Sequence, residues 1–299
     1  MGDDAGAMGT AGFDQGFLGV ECGLPRATEA ERRIRELTYL HFTVLLDAGR
    51  KLAAVAAANI DGAALRDIAR GDDWHLDERV DAAEQTGPEV YARNDLDRGH
   101  LVRRRDPVWG PMDAAERANR DTFAYTNAAP QAAEFNQSKE LWNGLEDHVL
   151  EYASANRLRL SVFTGPVFGD DDVSYRGTRI PTRFWKVAAW ADATGSGAGS
   201  APEGQDPARL RAAGFLLDQS PQLDGIELEG ARAAARATDA PPPLGPFRTF
   251  QLGISDIAGL TALDFGPIPA ADAFADAATA RPGTSRAWTE LHTPGQIVL

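Results

Sequence analysis

His100 closes the run Asp97-Arg98-Gly99-His100, inside residues 91–105 (YARNDLDRGHLVRRR), where five arginines face only Asp95 and Asp97. An imidazole titrates near 6.5 when unperturbed, so it can take a proton from water close to neutral pH without extensive tuning. Arg98 can grip a phosphate through two parallel N–H groups, and Gly99 lets the backbone approach a ligand or turn sharply beside the base. A base and a cluster of guanidinium groups meet two requirements of phosphodiester hydrolysis; the third is help for the departing 3′ oxygen. On these residues alone, a solvated arginine-rich turn with an incidental histidine accounts for the run equally well.

The rest of the chain makes that patch conspicuous. The 299 residues carry a formal charge of −14, which argues against general polyanion binding, so any nucleic-acid site must be a local basic patch. Residues 91–105 supply one, five arginines against two aspartates leaving a charge of +3. Cys22 is the only cysteine, which excludes an intrachain disulfide and a multi-cysteine zinc site. His41, His75, His100, His148 and His292 lack the paired helical spacing of a zinc hydrolase, so a metal is expected on oxygens with at most one nitrogen. The Asp170-Asp171-Asp172 triplet lacks the alternating ligands of a calcium loop and reads as a solvated turn.

Hydrophobic patterning supplies elements to hold the patch. Residues 27–37 read as a short charged helix capped by Thr28, and residues 39–46 as a strand. Residues 51–59 are rich in alanine, a helix former, yet they follow a strand across the Asp47-Ala48-Gly49 turn and are expected to be its hairpin partner. Residues 114–123 predict a short helix and 136–156 a longer one, with Leu141, Leu145, Val149 and Tyr152 along one side. Residues 158–163, 183–190, 210–217 and 250–254 predict strands, followed by a looped, acidic terminus. Trp185 and Lys186 read as sheet core with an exposed lysine, and His41 as a hydrogen-bonded core residue. The expected organisation is a flexible segment over 1–20 and a single domain over 21–299, with flexible insertions near 191–208 and 240–246.

After the DRGH run come TNAAPQ at 126–131, FNQ at 135–137 and WNGLE at 142–146, in that order. Together they resemble the DNA/RNA non-specific endonuclease family, and the likeness extends through HFTVLLDAGRKLAAVAAANIDG, VFTGPVF and IPTRFWKVAAW, from about residue 13 to 265. The resemblance implies an α+β domain with a central, mainly antiparallel sheet flanked by helices and a ββα-metal site. It implies His100 as general base, Asn136 as the one direct protein ligand of a water-rich Mg2+ (with Mn2+ as substitute), and Asn127 as an orienting residue. Arg98, Arg93 and Arg103 are the expected phosphate contacts, and Glu146 the acidic residue across the helix. Glu146 falls two residues further from Asn136 than the family pattern has it, and two extra helical residues rotate a side chain by about 200°. Either a non-helical turn or bulge near 138–141 absorbs the two residues, or Glu146 does not reach the metal's water and Glu140, one turn beyond Asn136, is the substitute. Leu150 stands where a relative has arginine.

The expected substrate is DNA, with RNA as a second, cleaved without base-edge readout. Two rival readings remain at this point: a nucleic-acid-binding or regulatory module that has lost catalysis, and a phosphodiesterase of restricted substrate range. The resemblance also suggests a homodimer and an inhibitor or regulatory partner. No signal peptide or stretch of about 18 apolar residues is apparent, so a cytoplasmic protein without membrane contact is expected.

Overall fold

The computed structural model describes residues 11–132, 157–192, 208–220, 223, 248–279 and 288–298. Its strands in chain order are β1 (Arg26–Ala27), β2 (Ile34–Tyr39), β3 (Phe42–Asp47), β4 (Leu52–Asp61), β5 (Leu96–His100), β6 (Ala128–Ala132) and β7 (Arg159–Val167). There follow β8 (Val173–Tyr175), β9 (Thr178–Ile180), β10 (Arg183–Asp192), β11 (Arg209–Asp218), β12 (Arg248–Leu252), β13 (Leu263–Asp264) and β14 (Thr289–Glu290). The helices are α1 (Pro88–Tyr91), α2 (Met112–Asp121), α3 (Ile254–Thr261) and α4 (Ala273–Thr279). Among the described residues, eight strands form one antiparallel sheet in the order β14-β12-β11-β10-β7-β4-β3-β2. The fold is α+β, as the sequence implies.

The centre of the sheet is covered on both faces. Every residue of β3 is buried, and so is all of β4 except Asp61, which is why these strands read as nearly continuous apolar runs. One face packs Phe42, Val44, Leu46, Ala53 and Phe215 against Leu101, Val102, Ala129 and Ala132, the residues flanking the DRGH run. The other packs Val55, Ala57, Phe163 and Trp185 against Phe13, Phe17, Ile254 and Ile257. Residues 11–20 carry little regular structure, yet Phe13, Phe17 and Leu18 are buried. The alanines of β4 are strand by pairing, not by propensity: β3 on one side and β7 on the other supply ladder partners that outweigh a helix former's modest preference.

Several local expectations need correction. Residues 27–37 are not a helix; β1 pairs with β13, and β2 forms the edge of the main sheet with Leu37 and Tyr39 turned inward. Its charges follow a strand's alternation, Arg33 and Arg35 both reaching Glu84 at 2.8 and 3.3 Å, which suits an exposed edge. Residues 39–46 hold two strands, because the chain reverses at His41, whose φ of 67° lies in the left-handed region. The terminus carries α3 and α4 rather than loop alone. Lys186 is buried beside Trp185. The strands at 51–59, 158–163, 183–190 and 210–217 and the helix at 114–123 are present as β4, β7, β10, β11 and α2. The helix expected at 136–156 and most of both insertions lie outside the described residues.

Candidate active site

The DRGH run is strand β5, hydrogen-bonded antiparallel to β6, with Arg98 opposite Pro130, Gly99 opposite Ala129 and His100 opposite Ala128. This two-stranded ribbon tolerates Pro130, which has no N–H to give a ladder. Gly99 has a reason the sequence did not disclose. A Cβ there would overlap the side-chain carboxamide of Gln131, so glycine is required by a cross-strand neighbour rather than by a sharp turn or a ligand. Gln131 is fully buried, and neither its Oε1 nor its Nε2 has a hydrogen-bond partner among the described residues.

Asn127 clamps the backbone that leaves His100. Its Oδ1 accepts from the Val102 amide at 2.9 Å, and its Nδ2 donates to the carbonyls of Val102 and Thr122, each at 3.0 Å. The Leu101 amide donates to the Asn127 carbonyl at 2.9 Å. With no exposed surface and all these bonds made, Asn127 orients the strand end and does not face solvent. Its neighbour Thr126 shares a 2.6 Å hydrogen bond with the Tyr39 hydroxyl, which also donates to Asp77 at 2.6 Å; Asp77 is ion-paired to Arg79 at 2.6 Å. Hydrogen bonds from Arg79 and Tyr39 overcome the effect of burial and hold the Asp77 carboxyl down at about 2.

The His100 ring lies against aromatic neighbours, 4.7 Å from Trp74 with a 50° tilt and 5.2 Å from Phe123 edge-on. Its Nε2 is buried without a hydrogen-bond partner among the described residues. Burial, and then the positive charges of Arg70, Arg104 and Arg98, push the imidazole down to about 3. A lone pair is therefore available at neutral pH.

Arg98 is partly exposed; its guanidinium lies 3.7 Å from the Asp72 carboxylate and 5.2 Å from the centre of the Trp74 ring. Arg103 is half-buried, and Arg93 is exposed just beyond α1 with a φ of 58°. Arg104 donates to the Ile68 carbonyl at 2.8 Å and to Asn119 at 3.1 Å, tying the upstream loop to α2. Its guanidinium titrates below the usual range because of burial and the neighbouring Arg105, Arg70 and Arg103. Tyr91 stacks 5.9 Å from Tyr125, and its buried hydroxyl, raised by burial, has no partner among the described residues.

Sequence reasoning missed Arg70, Asp72 and Trp74. No periodicity or motif marks the run RGDDW at 70–74; it reaches the site only because His75 bridges to the chain at Ala124, with Tyr125 donating to the His75 carbonyl at 2.9 Å. Asn136, Glu140, Glu146, His148 and Leu150 lie outside the described residues. Among the described residues no group of three or more His, Cys, Asp or Glu could hold a metal, so they offer no protein cage. The amide oxygen of Gln131 is fully buried against Gly99 and has no room for an ion that keeps its own waters, so a metal ligand is expected from Asn136, outside the described residues. Cys22 is buried, and burial pushes its thiol up to about 12, which leaves it inert as a nucleophile. A separate cavity of about 790 Å³ near the β3–β4 turn includes none of these residues, and its Arg32 is already bound to Asp47 at 2.9 Å.

The model of the DNA/RNA non-specific endonuclease family matches residues 26–267. An uncharacterised protein, y4fB, of Sinorhizobium fredii (strain NBRC 101917 / NGR234) is 36% identical over 296 residues, covering 91% of this chain and 41% of that protein. Mitochondrial endonuclease G of Bos taurus and of Homo sapiens are 31% and 30% identical over 127 residues, 38% of this chain and 40% of each relative. The chain thus matches about two fifths of the length of these relatives. Among solved structures, a chain of the EndoG/EndoGI complex, described as showing the mechanism of EndoG inhibition, superposes with a TM-score of 0.53 at 19% identity. That superposition covers 78% of this chain and 84% of the other, and supports the likeness of fold.

Proposed function

The chain belongs to the DNA/RNA non-specific endonuclease family, and on that premise we propose that it is a metal-dependent endonuclease that hydrolyses DNA and RNA, with His100 as general base. The observation that carries the reading is the His100 imidazole, neutral and with an unpartnered Nε2, set among Arg70, Arg98 and Arg104. An imidazole in cationic surroundings is kept unprotonated until a phosphate arrives. The substrate's negative charge then offsets the arginines and lets the ring hold the proton it has taken. Arg98 and Arg70 are assigned to that phosphate, Arg98 exchanging Asp72 for a phosphate oxygen; the charge of both beside His100 supports the assignment.

In the proposed step, a water oxygen attacks phosphorus as its proton passes to the His100 imidazole; the bond to the 3′ oxygen breaks, and that oxygen takes a proton from a second water, leaving a 5′-phosphate and a 3′-hydroxyl. The arginines stabilise the charge that builds on the non-bridging oxygens. Asn136 would hold Mg2+, which when bound would supply Lewis-acid stabilisation of that charge and of the leaving oxygen. Glu146 or Glu140 would act through hydrogen bonds to water. Asn127 keeps the strand end in place. The contacts are to phosphate and sugar, so cleavage is largely independent of sequence.

Plasmid and oligonucleotide digestion with Mg2+, with and without chelator, tests the reading. Cleavage abolished by chelator and lowered at least about a hundredfold in His100→Ala, with the fold retained, is the expected result. Equal cleavage by mutant and wild type removes His100 as base. Binding without cleavage by the wild-type protein favours a binding module instead. Asn136→Ala should raise the Mg2+ concentration needed for half-maximal rate.

A further inference from the structure

We propose that Trp74 is a positioning residue of this site, its indole holding the His100 imidazole and the Arg98 guanidinium in one arrangement. The proposal rests on the nuclease reading above and adds a residue that none of the motifs contains. Trp74 lies within 4.7 Å of the His100 ring, 5.3 Å of Phe123 and 5.6 Å of Tyr125, measured between ring centres. The Arg98 guanidinium carbon lies 5.2 Å from the Trp74 ring centre. One side chain therefore touches both the base and the phosphate-binding cation, which alternate in β5 and could otherwise move independently.

The support for this arrangement comes from outside β5. The Trp74 backbone is held by its own amide donating to Asp72 at 2.9 Å and by the His75 amide donating to the Phe123 carbonyl at 3.2 Å. Phe123 meets both Trp74 and His100 edge-on, so the three rings form a triangle in which the imidazole packs against both of the others. Among the described residues His100 Nε2 has no hydrogen-bond partner, and the packing against these two rings is the contact that holds the imidazole there. Trp74 itself stays partly exposed, unlike the core tryptophan Trp185, so apolar burial alone does not account for an indole here.

Two substitutions separate positioning from bulk. Trp74→Leu keeps a smaller apolar side chain without a π face, and Trp74→Phe, closer in size to leucine than to tryptophan, keeps an aromatic face. In Trp74→Leu, kcat should fall roughly tenfold to a hundredfold through misplacement of the base. KM should rise about twofold to fivefold through loss of the cation–π contact. Trp74→Phe should restore most of both. Circular dichroism and Tm establish that each variant is folded. Folded Trp74→Leu protein with wild-type kcat and KM would overturn the proposal.

If Trp74→Leu does not fold, Trp74→Phe and an NMR measurement decide. The ring-proton resonance of His100, identified by its loss in His100→Ala, should shift in Trp74→Phe as the ring current changes. An unmoved resonance denies the contact and overturns the proposal. If the wild-type protein cleaves no nucleic acid, the nuclease reading fails and takes the proposal with it. Cleavage by wild type matched by Trp74→Leu fails the proposal alone.

Discussion

His100 combines two features that pull in one direction: its Nε2 is withdrawn from water, and three arginines stand close enough to oppose its protonation. Both depress its titration to about 3, below the ordinary 6.5 of an unfolded chain. The sign for stability follows. Between pH 6.5 and 3 the unfolded chain binds a proton that the folded site refuses, so this group's contribution is complete above 6.5 and is lost as pH falls towards 3. For activity, kcat/KM reports the free enzyme, so its acid limb should lie below pH 6.5. A kcat/KM profile that breaks at or above the ordinary imidazole value contradicts this account of the base. Arg98 shows the same economy of placement, since the Asp72 carboxylate at 3.7 Å occupies it in the absence of substrate. That pair is largely exposed, worth at most about 1 kcal/mol, so a phosphate can displace it at little cost.

The β5–β6 ribbon is held by side chains that pack across it as much as by its ladder. Gly99 lies under the Gln131 carboxamide, and Asn127 closes the far end by bonding both polar groups of Val102. Gly99→Ala should therefore destabilise the ribbon by about 1–3 kcal/mol, the usual cost of an added carbon in a packed site. Thermal denaturation should show a lowered Tm, and the double variant Gly99→Ala with Gln131→Ala should recover most of it. A Tm for Gly99→Ala equal to wild type rules out the steric reason for this glycine. At the start of β2 a comparable cross-element effect reversed the sequence reading: Arg33, just before the strand, and Arg35 within it both point towards Glu84, as extended backbone demands, where charge and propensity alone suggested a helix.

For the molecule as a whole, a net charge of −14 opposes approach of any polyanion, while the site gathers Arg70, Arg98, Arg103, Arg104 and Arg105. Association with nucleic acid should be steeply salt-dependent as a consequence. Arg98→Ala should lower the slope of log affinity against log salt by about 0.7–0.9, one phosphate contact. Fluorescence anisotropy of a labelled oligonucleotide across a salt series measures it, and an unchanged slope argues against phosphate contact by Arg98. The eight-stranded sheet makes such a local patch structurally stable: one face is filled by the packing of residues 13–17 and α3, leaving the other to support the ribbon.

The sequence by itself determined the family and the antiparallel α+β class and singled out His100 as the candidate base, because these depend on ordered motifs and on apolar runs that only a doubly covered sheet can bury. The hairpin at 51–59 was legible for a similar reason, a turn signal joining two buried strands. Tertiary structure alone decided which residues surround His100. Arg70, Asp72 and Trp74 come from a stretch without periodicity, some 26 to 30 residues upstream, and are brought in by backbone bonds at His75, Phe123 and Tyr125. Gly99 likewise acquired its reason only when Gln131 packed across it. Contacts between distant segments leave no spacing in the chain, because their geometry depends on how whole elements dock and not on the residues next to them.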